Sequence, residues 1–287
     1  MSARVTPARP DDVVLSLDGV GVELRATASP LVKDVTFSLR RGRSVGIIGE
    51  SGSGKSVTCR AILGLLPDSL RLSTGSIELL GRDTATFSRA DWARARGEVI
   101  SAIFQDPASY LNPAMSVGAQ VAEILRVKRR LRRREARAKA LALFESVHLR
   151  DPEFVFEQYP QELSGGMVQR VLFAAAIALD PAVLLADEAT TALDVTVQAE
   201  ILDLLADMQR AIGLALVVVS HDLPVVAQLC QDVLVMKSGE VVEAGPVSDI
   251  LDRPRHPYTQ SLVREQRAFG LDNYLARSRA VPLAYAR

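Results

Sequence analysis

The 287 residues balance 34 Lys plus Arg against 34 Asp plus Glu, so bulk charge gives no footprint for binding nucleic acid. A hydrophobic share of 48% supports one large α/β domain or two small ones. The longest apolar runs, such as VLFAAAIAL (171–179), reach about half of the ~20 residues a membrane span needs, and MSARVTPARPDD lacks the apolar core of a secretory signal. Cys59 and Cys230 lack metal-ligand spacing and fit a reducing cytosol.

Residues 1–12 read as a flexible tail. VVLSLDGVGVEL (13–24) and DVTFSL (34–39) alternate apolar and polar residues as half-buried strands do. SVGIIG (44–49) is a short apolar strand running into glycines, and SVTCRAILGLLP (56–67) predicts a helix stopped by Pro67. Strands follow at GSIELLG (75–81) and EVISAIFQDP (98–107), and the pattern from 117 to 150 is helical, with the charge run RVKRRLRRREARAK (126–139). A helix is predicted from Ser164 to Leu179, a buried strand at AVLLADE (182–188) and an amphipathic helix over 197–212. LALVVVSHD (214–222) is a second buried strand, DVLVMKSGEVVEAG (232–245) a hairpin around Ser238–Gly239, and the last ~40 residues a helical extension. Apolar strands alternating with helices predict an α/β fold with a mostly parallel sheet, and the early alternating strands an added antiparallel sheet.

GESGSGKS (49–56) fits the G-x-x-x-x-G-K-[ST] phosphate loop, with a strand before it and a helix after it. Gly49, Gly52 and Gly54 let the backbone between Glu50, Ser51 and Ser53 turn its N–H groups onto phosphate oxygens. Lys55 reaches the β- and γ-phosphates, and the Ser56 hydroxyl suits Mg²⁺. AVLLADE ends on Asp187, a carboxylate for the same Mg²⁺, and on Glu188, a candidate general base for the attacking water. Gln105 in IFQDP is a third metal candidate, or equally a turn glutamine; His221, just past LALVVVS, is a γ-phosphate contact or a structural histidine. LSGGMVQR (163–170) adds a second anion-type helix start at Ser164, Gly165 and Gly166.

In this order, GESGSGKS, Gln105, LSGGMVQR, VLLADE, TALD (191–194) and His221 resemble the ATPase subunit of an ATP-binding-cassette (ABC) transporter over roughly residues 13–260. The resemblance implies a P-loop NTPase core with an antiparallel β-subdomain (core 13–105 and 180–250), a helical subdomain (106–179) and a C-terminal extension (251–287). It implies ATP and Mg²⁺ as cofactors, with Gln105, Glu188 and His221 catalytic and Val57 completing the ATP loop. Two such subunits pack head to tail, so Leu163, Ser164, Gly165, Gly166 and Met167 serve the partner's ATP and Asp194 links the two sites. The other partners implied are two membrane permease subunits, contacted by the region from Gln105 to about 160, and indirectly a substrate-binding protein. The expected place is peripheral, on the cytoplasmic face of the inner membrane.

IGESGSGKSVTC, IFQDPASYLNP, ELSGGMVQRV, TTALDVTVQAEIL and HPYTQSLV (256–263) resemble importers of peptides, nickel and metal chelates. No cysteine follows Cys230, which leans toward nickel or metallophore importers rather than peptide importers with a cysteine-rich tail. The family usually has proline where this chain has Ala189, and often an aromatic base-stacking residue where this chain has none before Phe37; Arg25 is the candidate to stack instead, or a solvated loop arginine. The arginine run reads as a solvated helix face, or as a lipid-headgroup contact. The competing function is an ABC-type ATPase without a permease, similar to the accessory ATPases of phosphonate carbon–phosphorus lyase.

Overall fold

The computed structural model describes residues 13–104, 107–189 and 195–268. The chain divides into two units, residues 1–87 with 209–287, and residues 88–208.

The first unit opens with β1 (Val13–Leu24), β2 (Pro30–Arg40), β3 (Ser44–Ile48), α1 (Lys55–Ile62), β4 (Leu70–Leu79) and β5 (Arg82–Asp83). Strands β1, β2, β4 and β5 pair antiparallel, with β1 between β2 and β4, as the alternating pattern predicts. Helix α1 ends earlier than expected. Gly64, at φ 61°, takes the left-handed position after it; Leu65 N–H reaches Arg60 O at 2.8 Å and Gly64 N–H reaches Ala61 O at 3.0 Å. This glycine-based cap ends the helix before Pro67 is reached.

The unit resumes after residue 208 with β8 (Ala215–Ser220), α8 (Leu223–Leu229), β9 (Asp232–Lys237), β10 (Glu240–Pro246), α9 (Val247–Asp252) and α10 (Pro257–Ala268), numbered in chain order across both units. β3 lies parallel between β8 and β9, buried along its whole length, which is why it carries no polar alternation. β9 and β10 form the expected hairpin; Ser238 and Gly239 both have positive φ, 50° and 85°. Burial pushes the Cys230 thiol well above its usual range, so it is not a reactive thiolate, and Cys59 is also buried.

The second unit holds α2 (Arg89–Glu98), β6 (Ile100–Ile103), α3 (Val117–Arg129), α4 (Arg133–Ser146), α5 (Pro152–Glu157), α6 (Gly165–Ile177) and β7 (Val183–Asp187), and α7 (Val195–Ile212) begins in it. β6 and β7 pair parallel, and Val121, Leu125, Ala140, Phe144 and Phe156 form the core of the helical part. Much of the arginine run has structural partners. Arg129 donates to Leu179 O (2.5 Å) at the end of α6, Lys128 to Ala93 O, and Arg126 pairs with Glu123. Arg137 pairs with Glu157 and lies 4.8 Å from the centroid of the Phe156 ring. These partner carbonyls and carboxylates all belong to the same unit.

Candidate active site

The phosphate loop begins where β3 leaves the core. Gly49 sits at φ 151°, and a Cβ there would lie 2.1 Å from Met236 O and 2.8 Å from Ser53 Oγ, so only glycine fits between the loop and β9. Ser53 N–H bonds Glu50 O (3.2 Å), and Gly239 N–H in the β9–β10 turn bonds Ser53 O (3.0 Å). The hairpin thus props the loop from below. Gly54 caps α1 at φ 105°, leaving the helix's first N–H groups and the positive end of its dipole beside the loop.

Lys55 is 6% exposed, and its Nζ donates to Gly49 O (2.7 Å) and Glu50 O (2.8 Å). The ammonium is therefore held inside the turn rather than extended into solvent. The Ser56 hydroxyl is exposed, whereas Ser53 Oγ is buried and finds no hydrogen-bond partner among the described residues. The open N-terminal end of α1, a fixed ammonium and an exposed serine form a donor set suited to polyphosphate and to a hard cation. In the same unit, Ile48 pairs with Ser220, so the exposed His221 follows at the strand end beside Gly49. Arg25 lies past β1, where its N–H bonds Ser69 O (2.8 Å) and its Nε bonds Leu70 O (3.0 Å).

In the second unit, β7 delivers Asp187 and Glu188 at its C-terminal end. Asp187 is 8% exposed, and Glu188 is half-buried with φ 51°, a left-handed conformation rare for a residue with a side chain. The fixed point after it is Ala189, whose carbonyl accepts from Gln169 Nε2 at 2.6 Å. Gln169 is fully buried on α6, five residues past Ser164, and was not a site candidate in the sequence. Its burial within LSGGMVQR is the only signal, and that signal is tertiary. Ile103 pairs with Ala186, so Phe104 runs abreast of Asp187; Gln105 and the segment 190–194 with Asp194 lie outside the described residues.

Ser164 caps α6 as the pattern predicts: its Oγ accepts from Met167 N–H at 3.3 Å. Ser164 and Gly165 are exposed, and Leu163 and Met167 are half-buried. Among the described residues nothing lies within 4 Å of a Cβ added at Gly165, whereas one at Gly166 would come 2.8 Å from Val197 Cγ1 at the start of α7.

The sequence profile described as "ABC transporter" matches residues 32–191. The chain belongs to the ABC transporter ATP-binding family. The cassette is 45% identical to the probable D,D-dipeptide transport ATP-binding protein DdpD of Escherichia coli (strain K12), over 81% of this chain and 71% of that protein. It is 41% identical to the dipeptide transport ATP-binding protein DppD of the same organism, over 90% and 80%. Among solved structures it is similar to cbiO1 from Clostridium perfringens, part of the ABC transporter complex cbiONQ, with TM-score 0.75, 25% identity and coverage of 93% and 99%. A dimeric post-hydrolysis structure of the cassette MJ0796 bound to ADP and Pi matches with TM-score 0.71, 28% identity and coverage of 81% and 98%. The fold is that of an ABC ATPase cassette, and the chain is an ATP-hydrolysing subunit whose hydrolysis is coupled to transport through an ABC importer. Among the described residues no helix is long and apolar enough to cross a membrane.

Proposed function

We propose that this cassette powers uptake of short peptides through a membrane permease, lying peripherally on the cytoplasmic face of the membrane. The observation that carries the cargo reading is the 41–45% identity, over at least four-fifths of this chain, to subunits named for dipeptide transport. A nickel or metallophore cargo is the second reading; it rests on the resemblance of SLVREQRAFG (261–270) to such importers.

The site roles proposed are those the family implies, and the donor chemistry of the described residues fits them. The loop Gly49, Glu50, Ser51, Gly52, Ser53, Gly54, Lys55, Ser56 and Val57 binds the ATP phosphates, and Arg25 presents its guanidinium plane to the base. Ser56 supplies a hydroxyl and Asp187 a carboxylate to Mg²⁺, with Gln105 the third ligand proposed. Such oxygen donors fit a cation held largely by substrate phosphates, and no cluster of three or more His, Cys, Asp or Glu side chains among the described residues offers a metal cage. Bound Mg²⁺ offsets the negative charge of the β- and γ-phosphates. Glu188 takes the proton of the attacking water, and His221 contacts the γ-phosphate. Leu163, Ser164, Gly165, Gly166 and Met167 close on the ATP of a second ABC subunit, identical or related, and Asp194 links the two sites. ATP favours the closed pair and ADP the open one, and two permease subunits convert that difference into access. The exposed Met115, Phe154 and Tyr159 in the proposed 106–179 subdomain are suited to that contact.

The test is affinity purification of the Glu188→Gln chain from detergent-solubilised membranes with ATP. Two multi-span proteins co-purifying support the importer, and loss of dipeptide uptake on deletion supports the cargo. Loss of nickel uptake instead moves the cargo to metal, and co-purification with soluble enzymes alone refutes the permease.

A further inference from the structure

The tail motif HPYT (256–259) is built against the phosphate loop. Glu243 at the outer part of β10 accepts N–H bonds from Arg255 (2.8 Å) and His256 (3.0 Å), which fixes the chain entering α10. His256 Nδ1 then accepts Tyr258 N–H at 3.2 Å, and Pro257 opens the helix with its φ already suited to it. This cap turns Tyr258 inward, 8% exposed, with Lys237 Nζ 4.6 Å from its ring centroid. The Tyr258 hydroxyl oxygen accepts the backbone N–H of Glu50, the second residue of the phosphate loop, at 3.0 Å. Burial pushes the phenol above its usual range, so it stays neutral in any ordinary buffer.

Two tethers from distant sequence therefore hold the loop. Gly239 N–H fixes Ser53 O, and Tyr258 fixes Glu50 N–H. They hold opposite ends of the Glu50–Ser53 turn.

We propose that Tyr258 is a positioning residue for the nucleotide site, its hydroxyl holding the entry of the phosphate loop in its ligand-ready shape and coupling that shape to docking of α10. The coupling is reciprocal: nucleotide on the loop steadies the tail helix, and a docked tail steadies the loop. The proposal rests on the ATPase assignment only for the choice of ligand.

The test uses the full chain, Mg²⁺ and a fluorescent ADP derivative. Tyr258→Phe keeps the ring over which Lys237 sits and removes only the acceptor. Loss of one neutral hydrogen bond that organises the loop raises the ADP dissociation constant about fivefold and shrinks the ADP-induced gain in Tm. Val263→Ala, in the same helix and 4% exposed, loosens α10 while keeping the Tyr258 hydroxyl; it lowers the ligand-free Tm and, because the helix stays docked in most molecules, weakens ADP by less than about twofold. The proposal is overturned if Tyr258→Phe leaves ADP affinity unchanged, or if Val263→Ala weakens ADP as much as Tyr258→Phe does. Hydrogen exchange on the wild-type chain is independent of any folding failure. A protected Glu50 amide, with ADP slowing exchange across 257–268, supports the tether; a Glu50 amide exchanging at the free-chain rate refutes it.

Discussion

Gly165→Ala separates the fold from the assembled site. Gly165 is the first residue of α6, its φ is not positive, and among the described residues no other part of the chain lies within 4 Å of an added Cβ. The methyl group therefore clashes with none of them. Alanine also narrows the unfolded chain, so the variant is more stable by about 0.5 kcal/mol, the low end of the range because the position is in the first turn. For a chain of this size that is a Tm rise of roughly 1–2 °C. If the helix start closes on a partner's γ-phosphate, the same methyl occupies the space that phosphate needs and weakens an approach made by backbone N–H. Loss of one such donor costs about 10²–10³ in rate, so ATPase activity at saturating ATP falls at least about thirtyfold while ATP binding to the subunit's own loop is unchanged. The assay is steady-state phosphate release beside a thermal melt. In a Glu188→Gln background, size exclusion with ATP shows the dimer lost in the double variant. Retention of more than half the wild-type rate by Gly165→Ala refutes the composite site. Gly166→Ala is a contrast rather than a control, because its Cβ would meet Val197 Cγ1 at 2.8 Å and strain the fold as well.

Gln169→Met keeps the volume of the side chain but leaves Ala189 O without its 2.6 Å donor. Stability falls by about 1–2 kcal/mol, and kcat falls with ATP affinity intact, as urea melts and ATP titrations report; unchanged kcat separates Gln169 from Glu188. Ala189→Pro leaves ATP affinity within about twofold, because the Gln169 bond uses the carbonyl and not the N–H that proline removes; a large change in affinity in an ATP titration means the residue is misplaced. Glu243 gives a pH test. Burial pushes its carboxyl up, but the neighbouring Thr259 hydroxyl, then the N–H groups of Arg255 and His256 and the His256 charge, outweigh burial and hold it below the usual range. A carboxylate depressed in the folded state stabilises above its unfolded pKa and loses that contribution as pH falls through the folded one. The Tm advantage of wild type over Glu243→Gln is therefore full at pH 7 and closes below about pH 4; an advantage that grows on acidification refutes the assignment.

The phosphate loop was legible because its chemistry is contiguous: strand, glycines, lysine and helix follow one another with no tertiary partner needed. The same holds for the Ser164 cap and for the Ser238–Gly239 turn, whose residue types match their dihedrals. Helix α2 was missed because RADWARARGE has almost no apolar stripe; its signal was the Ser88–Asp91 capping box, with Ser88 N–H to Asp91 at 3.0 Å. Helix α8 hid behind an apolar run after Asp222, with Pro224 in its first turn as the overlooked start signal. The end of α1 was misplaced because Gly64 outranks Pro67 as a stop when the left-handed cap can form. Gln169 and Tyr258 were beyond local reading: each acts through a carbonyl or an N–H brought from 20 or 208 residues away. The arginine run read as a solvated face because its partners, the carbonyls of Ala93 and Leu179, carry no sequence mark.

β3 has both sheet neighbours, β8 and β9, more than 160 residues later in the chain, and the loop it carries is tethered by Gly239 and Tyr258. On the ribosome, residues 49–56 emerge long before anything exists to hold them. At about 5–20 residues per second the gap lasts roughly 10–40 s. The loop's full set of supports is therefore complete only near the end of synthesis, and a nascent or truncated chain lacking α10 holds nucleotide more weakly than the finished one.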